Sequence, residues 1–133
     1  MFHQTMVIGN VGKDPESRYT PSGQAVTSFS VAANRSYTSS DGQTVKETCW
    51  YRVTTWGKLA EVCHQYVKKG SLVLIVGRMT PDKETGGPKV WSKKDGAASA
   101  SYELTADTVR FLSKSEAAAM TSQTEAAEVE SPF

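Results

Sequence analysis

The sequence predicts an all-β domain of five short strands with one helix, followed by an acidic tail. Three observations support this prediction. Short β-rich runs are separated by turn residues, only one segment has helical periodicity, and the composition changes abruptly after residue 112. Hydrophobic residues make up 38% of the 133 residues and charged residues 22%, which is typical of a globular chain of one domain. We therefore expect a folded domain over residues 1–112 and a disordered tail over residues 113–133.

The first three strands are predicted from runs rich in β-branched and aromatic residues that turn signals bound. They cover residues 5–9, 25–34 and 45–56. The Asp41-Gly42 pair between the second and third runs is typical of a tight β-hairpin turn, because such turns need positive φ angles. We therefore expect a hairpin at this point of the chain.

One helix is predicted directly after the third strand, over residues 58–69. Apolar residues recur there at helical spacing and so share one face. Gly70 provides the stop, and Lys68 and Lys69 would lie in the last turn, where positive charge suits the helix dipole. The residues of the shared face are Leu59, Val62, Cys63, Tyr66 and Val67.

The rest of the domain is predicted as a strand, a hairpin and a final strand. Residues 72–76 are continuously apolar, which indicates a strand buried on both faces. A polar, turn-rich stretch predicts a protruding hairpin centred near residues 93–96, with arms at 89–92 and 98–104, and the last run covers 102–112. Three strands, a helix and two strands is the order of a five-stranded OB-fold barrel, whose helix lies between the third and fourth strands. Such barrels commonly bind oligonucleotides.

Charge is divided unevenly between the predicted domain and the tail. Residues 1–112 contain 14 Lys and Arg against 10 Asp and Glu, a net charge of +4. Residues 113–133 contain one Lys against four Glu, a net charge of −3. A basic body with an acidic tail is typical of a protein that binds phosphates with the body and something else with the tail.

The sequence gives little support for an enzyme. Gly12-Lys13 lacks the first glycine and the Ser or Thr of a phosphate-binding loop. Cys63 and His64 are neighbours on the predicted helix and point to different faces, so they form no nucleophile–base pair. The His and Cys residues lack metal-ligand spacing, and no apolar run is long enough for a membrane span. We expect a non-catalytic cytoplasmic protein with no cofactor, metal or membrane partner, whose two cysteines are small buried hydrophobic residues.

The third strand carries the strongest functional pattern. Alternate residues of a strand share a face, and one face here combines Trp50 and Trp56 with Arg52 between them. Indole rings stack on any base, and Arg binds the phosphates of the backbone. This face therefore predicts a platform for single-stranded nucleic acid, the alternative being that the indoles pack in the core or in a subunit interface. The full set on this face is Lys46, Thr48, Trp50, Arg52, Thr54 and Trp56.

Two polar hairpins add further candidate contacts. Tyr37 lies two residues after Arg35 in the first, and Trp91 is followed by Lys93 and Lys94 in the second. Aromatic residues in such hairpins have little core to enter, so they contact either a ligand or their own loop. Further basic residues are candidate phosphate contacts or ordinary solvated surface: Lys58, Lys68, Lys69 and Arg78.

Several longer motifs resemble those of the bacterial single-stranded DNA-binding (SSB) proteins. The resemblance extends over about residues 4–112, with the order and spacing of that family. The matching segments are residues 9–16, 18–23, 32–35, 50–53, 56–61 and 69–73.

The resemblance implies an OB-fold homotetramer in the nucleoid that wraps single-stranded DNA during replication, recombination and repair. The segment 80–89 departs from the family pattern, because it is longer than in the best-known members and lacks their dense basic run. A dimeric OB protein of a primosome, or one that binds RNA, is the alternative. The resemblance places stacking aromatics at Tyr37, Trp50, Trp56 and Trp91, and phosphate contacts at Arg18, Arg52, Lys58 and Lys69.

The end of the tail resembles the partner-docking tip of the same family. Pro132 and Phe133 are the last two residues, and Glu128 and Glu130 precede them. A terminal Phe ring can fill an apolar pocket while the carboxylates meet basic side chains of a partner. The tail therefore predicts docking of replication and repair proteins, the alternative being a role in solubility alone.

Overall fold

Seven strands and one helix occur in the computed structural model, which describes residues 1–112. The helix follows the fourth strand directly and precedes the fifth. In chain order the elements are β1 (Thr5–Val11), β2 (Glu16–Tyr19), β3 (Ala25–Thr38), β4 (Thr44–Trp56), α1 (Lys58–Tyr66), β5 (Leu72–Met79), β6 (Lys89–Ser92) and β7 (Ala98–Phe111).

Five of these strands close into a barrel. The sheet runs in the order β1-β5-β7-β4-β3, and the end of β1 pairs back onto β3 through Asn10 and Val11. The β4–β7 pair is parallel and the other pairs of the ring are antiparallel. A closed ring of five strands with a helix between the third and fourth of them confirms the predicted OB-fold.

The two additional strands lie outside the ring. β2 pairs with β3 on the side away from β4, and all four of its residues are exposed. Because this strand is short and polar, it lacks the hydrophobic alternation from which strands are predicted. β6 pairs with the first part of β7, as the hairpin prediction expected, and the predicted second arm and last run form one continuous strand.

The helix is shorter than the spacing predicts. It ends at Tyr66, and Val67 has an extended backbone with φ −73° and ψ 130°. The following residues form a turn instead, in which the Ser71 N–H donates to the Lys68 carbonyl and the Lys69 N–H donates to Asp14. The prediction that Lys68 and Lys69 occupy the last helical turn is therefore wrong, because hydrogen bonds within this turn and to Asp14, in the segment after β1, replace the helical ones.

The predicted apolar face of the helix is also narrower than expected. Cys63 is fully buried, and Val67 at the cap is nearly so, whereas Val62 and Tyr66 are 38% and 56% exposed. Ala60 is fully buried in their place. The barrel end therefore covers a strip of the helix that is centred on the small residues Ala60 and Cys63.

β5 is buried on one face only, which corrects the prediction of burial on both. Val73 and Ile75 are fully buried, whereas Leu74 and Val76 are half-buried on the outside of the barrel. A single-layer barrel has only one interior, so alternate residues of every strand must face outward. The outward residues Leu72, Leu74 and Val76 are nevertheless apolar.

The barrel interior holds a core of aliphatic side chains and one Phe. Two buried threonines form hydrogen bonds beside this core. The Thr27 hydroxyl joins β3 to the helix by donating to the Ala60 carbonyl at 2.7 Å, and the Thr55 hydroxyl joins β4 to β3 by donating to the Thr27 carbonyl at 2.9 Å. The main core residues are Val7, Val11, Phe29, Val31, Val53, Cys63, Val67, Val73, Ile75, Leu104 and Ala106.

Two glycines allow the closest strand crossings of the barrel. A Cβ atom at Gly9 would collide with the Ala32 carbonyl, and one at Gly77 would collide with the Thr105 carbonyl. The β5–β7 register also shifts at Gly77. Any side chain at these positions would force the backbones apart.

No helix of residues 1–112 has the length and apolarity needed to cross a membrane.

Candidate nucleic-acid interface

The β3–β4 hairpin presents Trp50 and Trp56 on its outer surface. Each indole lies opposite a small β3 residue, Trp50 opposite Ala32 and Trp56 opposite Val26. Trp50 is 54% exposed and Trp56 is 42% exposed. Both rings therefore lie outside the barrel core in the isolated chain. We call the surface formed by Trp50, Arg52, Trp56 and their outward neighbours the tryptophan face.

The opposite face of the same strand is the core face within the barrel. Val53 and Thr55 are both fully buried, whereas Arg52 between Trp50 and Val53 is exposed. The alternation read from the sequence therefore assigns the faces correctly for Trp50 and for residues 52–56, whereas the other predicted core-like residues, Val45, Glu47, Cys49 and Tyr51, are not buried. Packing of the indoles against another subunit stays open as an alternative.

Arg18 joins the tryptophan face through the short edge strand. It lies in register with Val26 of β3, and Val26 in turn lies opposite Trp56 of β4. Residues in register across antiparallel strands point to the same side of the sheet. Arg18 and Trp56 therefore lie on the same side of the sheet, one on each side of Val26. Lys58 is exposed at the first position of the helix, two residues after Trp56. Two cations therefore lie near the Trp56 end of the face.

Lys69 is placed near the other end of the face by its backbone. Its N–H donates to the Asp14 carboxylate at 2.9 Å, and the Gly70 N–H donates to the Val11 carbonyl at 2.8 Å. These bonds hold the turn before β5 beside the turn that follows β1, which carries the exposed Lys13. Lys13 therefore joins the candidate cations, although the sequence analysis did not select it.

An open groove of about 1200 Å³ extends over this region. Residues of the β1–β2 turn, β3, β4 and β7 line it, among them Lys13, Ser30, Trp50, Arg52 and Tyr102. It also extends beneath the hairpin, to residues that point away from Trp50. Its size and its aromatic lining suit a polymer rather than a small enclosed ligand. The charged side chains that line it are balanced, with Lys13, Arg35 and Arg52 against Asp14, Glu16 and Glu47.

Tyr37 and Arg35 lie on the hairpin face opposite to Trp50. Tyr37 pairs with Val45, and Arg35 pairs with Glu47, so both belong to the odd-numbered side of β4. The Arg35 guanidinium is 5.3 Å from the Tyr37 ring centre and 3.6 Å from the Glu47 carboxylate. The structure therefore does not bring Tyr37 together with Trp50 on one surface, and Arg35 already has an acidic partner.

Trp91 occupies the second hairpin, apart from the tryptophan face. It is 41% exposed on β6 and pairs with Ser99 of β7. Lys93 and Lys94 follow in the turn, in which the Lys93 N–H donates to the Ala97 carbonyl and the Gly96 N–H donates to the Lys93 carbonyl. Both lysines are exposed. The second hairpin thus offers an aromatic ring and two cations on an element that projects from β7.

Tyr51 and Tyr102 form an aromatic pair that the sequence analysis missed. Their ring centres are 6.1 Å apart, and Tyr102 is 53% exposed. A side-chain hydrogen bond with Cys49, together with burial, raises the pKa of Tyr51. The two tyrosines lie in register across the parallel β4–β7 pair, which local sequence patterns do not reveal.

Cys49 is only half-buried, because the barrel core ends near Tyr51. The prediction that Cys49 is a buried residue is therefore wrong.

The helix pair Cys63 and His64 does not resemble a catalytic arrangement. Cys63 is fully buried, whereas His64 is exposed. Burial raises the pKa of the Cys63 thiol, which disfavours the reactive thiolate. Among residues 1–112, no group of three or more His, Cys, Asp or Glu side chains is arranged to hold a metal ion.

The predicted docking tip lies outside the described residues. Glu128, Glu130, Pro132 and Phe133 all belong to the segment 113–133. Its predicted disorder and its role in partner docking therefore stay predictions.

Residues 2–112 match the model of the single-strand binding protein family. This match covers the barrel, both hairpins and every candidate contact outside the tail.

Several curated proteins are similar to the chain. A single-stranded DNA-binding protein of Neisseria meningitidis serogroup A is 39% identical over 111 residues, which cover 84% of this chain and 60% of that protein. Single-stranded DNA-binding protein 1 of Chlorobaculum tepidum is 43% identical over 92 residues, which cover 66% of this chain and 57% of that protein. The chain thus spans about 60% of the length of the curated relatives it matches.

Solved structures share the fold. A deletion mutant of the single-stranded DNA binding protein from Thermus aquaticus superposes with a TM-score of 0.64 at 25% identity, covering 84% of this chain and 50% of that chain. The small single-stranded DNA-binding protein from Streptomyces coelicolor superposes with a TM-score of 0.67 at 18% identity, covering 83% of this chain and 94% of that chain.

Proposed function

The chain belongs to the single-strand binding protein family, and on this premise we propose that it binds and protects single-stranded DNA with little sequence preference and without catalysis. The observation that carries the proposal is the exposure of Trp50 and Trp56 on one sheet face with Arg52 between them. Neighbouring exposed apolar side chains commonly mark a surface that binds a partner or ligand. Flat rings beside cations suit bases and phosphates.

Bases stack on the indoles while phosphates follow the surrounding cations. Each base–aromatic contact contributes about 1–3 kcal/mol, and it tolerates any base because all four have a π-face. Arg18 and Lys58 suit phosphates near Trp56, and Lys69 suits those near the β1–β2 turn. Arg52 binds between the two rings.

The two hairpins extend the path of the strand. Tyr37 and Trp50 lie on opposite sides of the β3–β4 hairpin. A single-stranded DNA that contacts both must therefore pass around the edge of that hairpin. Trp91, Lys93 and Lys94 provide contacts on the second hairpin. Arg35 forms an ion pair with Glu47. It contributes to phosphate binding only if this ion pair breaks and a DNA phosphate takes the place of the carboxylate.

Titration with oligo-dT at two salt concentrations, followed by tryptophan fluorescence, tests the proposal. All three Trp residues are candidate contacts, so binding should quench emission. The logarithm of affinity should fall against the logarithm of salt concentration, with a slope of about −0.7 per phosphate neutralised. Fluorescence that does not change when oligo-dT is added, together with an affinity that does not depend on salt concentration, would contradict the proposal. Preference for an RNA oligomer in competition would favour the alternative of an RNA-binding OB protein.

Self-association into a homotetramer joins four short paths into one long site. Support comes from the outer surface of the β1–β5 pair, where Met6 is 65% exposed and Ile8 is 38% exposed. They lie opposite Val76 and Leu74. Four neighbouring apolar side chains on a barrel exterior are typical of a surface that another subunit covers.

Mass measurement in solution tests the assembly. The protein should have the mass of four chains, and Ile8→Asp should yield smaller species. Val62→Asp is the matched control, because Val62 is equally exposed at 38% but lies on the helix. A monomeric parent, or equal dissociation by both variants, would contradict this surface as the interface.

Action in replication, recombination and repair, near the nucleoid in the cytoplasm, requires contacts with other proteins. The acidic tip with Glu128, Glu130, Pro132 and Phe133 is suited to such docking. Deleting Pro132 and Phe133 should leave oligo-dT affinity unchanged and abolish capture of replication and repair proteins. Unchanged capture of these proteins by the shortened chain would contradict docking through the tip and favour a role of the tail in solubility alone.

A further inference from the structure

Gly12 lies against the outer edge of the Trp50 ring. A Cβ atom built on Gly12 would be 2.6 Å from Cζ3 and 2.9 Å from Cη2 of Trp50. Both atoms belong to the outer edge of the six-membered ring, and real Cβ atoms essentially never approach other atoms so closely. Only a residue without a side chain therefore allows the ring to lie where it does.

The backbone around Gly12 is fixed, whereas the indole is not. The Gly12 N–H donates to the Ser30 carbonyl at 2.9 Å, and the Val11 N–H donates to the Ser71 carbonyl at 2.9 Å. Trp50, by contrast, is 54% exposed. A methyl group at position 12 would therefore be accommodated by rotation of the indole about its side-chain bonds.

Gly9 shows the opposite case three residues earlier. A side chain there meets the backbone of Ala32, which belongs to the barrel wall and has no freedom to move away. Substitution of Gly9 would damage the fold, whereas substitution of Gly12 would displace one exposed ring. The two glycines of one short segment thus have different roles.

From this geometry we infer that Gly12 is a positioning residue for DNA binding, which sets the location of the Trp50 ring. The inference rests on the proposed function, because the position of the ring matters for affinity only if bases stack on it. A displaced ring no longer lies in line with Arg52 and Trp56 along the strand, so stacking and phosphate contacts cannot form together at their best geometry.

A double-mutant cycle tests the inference, with Gly12→Ala, Trp50→Phe and both changes together. Gly12→Ala should weaken oligo-dT binding about three- to tenfold, a part of the effect of losing a stacked base. In the Trp50→Phe background the same change should have no further effect, because a phenyl ring lacks the outer atoms that collide. Gly87→Ala is the matched control, since its Cβ would meet only Thr85 Oγ1 at 3.7 Å.

A measurement without DNA tests the position of the ring itself. Trp56→Phe and Trp91→Phe together leave Trp50 as the sole tryptophan. In that protein Gly12→Ala should shift the emission maximum and change the acrylamide quenching of the free protein, with an unchanged melting temperature. Absence of any shift would overturn the inference even if the protein bound no DNA.

The remaining outcomes separate the inference from the proposed function. Equal losses from Gly12→Ala in both backgrounds, or a fall in melting temperature, would assign Gly12 a purely structural role and overturn the inference. An altered emission in a parent protein that fails to bind oligo-dT would leave the ring position established and refute the proposed function instead.

Discussion

The two faces of β4 differ strongly in exposure towards the C-terminal half of the strand. On one face Val53 and Thr55 are fully buried, and on the other Trp50 and Trp56 are 54% and 42% exposed. The strand thus separates residues that stabilise the fold from residues that are available to a ligand, at a spacing of one residue. Towards the hairpin turn this difference disappears, because the barrel interior ends near Tyr51 and both faces become solvent-accessible.

The largest effect is expected on the buried face. Leu104 is fully buried and lies directly opposite Val53 on β7. Leu104→Ala removes core contacts and leaves a cavity, so the free energy of unfolding should fall by about 2–5 kcal/mol. Chemical denaturation measures this loss. Thr108→Ala, at an exposed site of the same strand, should change it by less than about 0.5 kcal/mol, and similar losses from both would contradict the division between faces.

The next effect concerns the exposed face and binding. Trp50→Ala should weaken oligo-dT binding by about 1–3 kcal/mol, because a stacking surface is lost, while the melting temperature stays unchanged. Fluorescence anisotropy of labelled oligo-dT and thermal unfolding provide the two readouts. Tyr66→Ala is a matched control, since Tyr66 is similarly exposed at 56% but lies on the helix. Unfolding caused by Trp50→Ala would show that the exposed ring is a core residue in solution.

A smaller effect is expected from Arg52, the cation between the two indole rings, and it concerns the salt dependence of binding. Arg52→Gln should reduce the slope of log affinity against log salt by about 0.7 in magnitude, because one phosphate contact is lost. Titrations at four or more salt concentrations measure the slope. Arg110→Gln, which changes an exposed Arg in the part of β7 paired with β5, should leave it unchanged. An unchanged slope in Arg52→Gln would mean that Arg52 binds no phosphate.

The smallest effect is expected at the hairpin turn, where neither face is buried. Hydrogen bonds from the Ser39 hydroxyl and the Gln43 N–H lower the pKa of Asp41 from its ordinary value of 3.8. Because the folded state has the lower pKa, the carboxylate stabilises the fold above pH 3.8, and this contribution is lost as the pH falls through the folded pKa. Asp41→Asn should therefore destabilise the protein slightly at pH 7 and less at pH 2.5, measured by denaturation at both values. An equal difference at both pH values would contradict a charge-dependent role.

Local patterns of the sequence predicted most of the barrel, because strand alternation and turn residues act over a few positions. They also placed Trp50 and Trp56 on one face, since alternate residues of a strand share a face, and the Arg and Lys on that face indicated that it points outward. The end of the helix was missed because Asp14, 55 residues before Lys69, accepts the hydrogen bond that favours a turn. The same reason applies to the Tyr51–Tyr102 pair, which depends on a parallel pairing of distant strands. Long-range pairings of this kind leave no periodic signal in the chain.

The pairing of β1 with β5 has a consequence for how the chain acquires its structure during synthesis. Thr5 lies opposite Gly77, so the first strand has to wait for more than half of the chain before its main partner leaves the ribosome. Closing a loop of this length is slow compared with forming a hairpin. Until then the apolar side chains of β1 are unprotected. We therefore expect the nascent chain to be most prone to aggregation, and most dependent on chaperones, in the interval before residue 77 emerges.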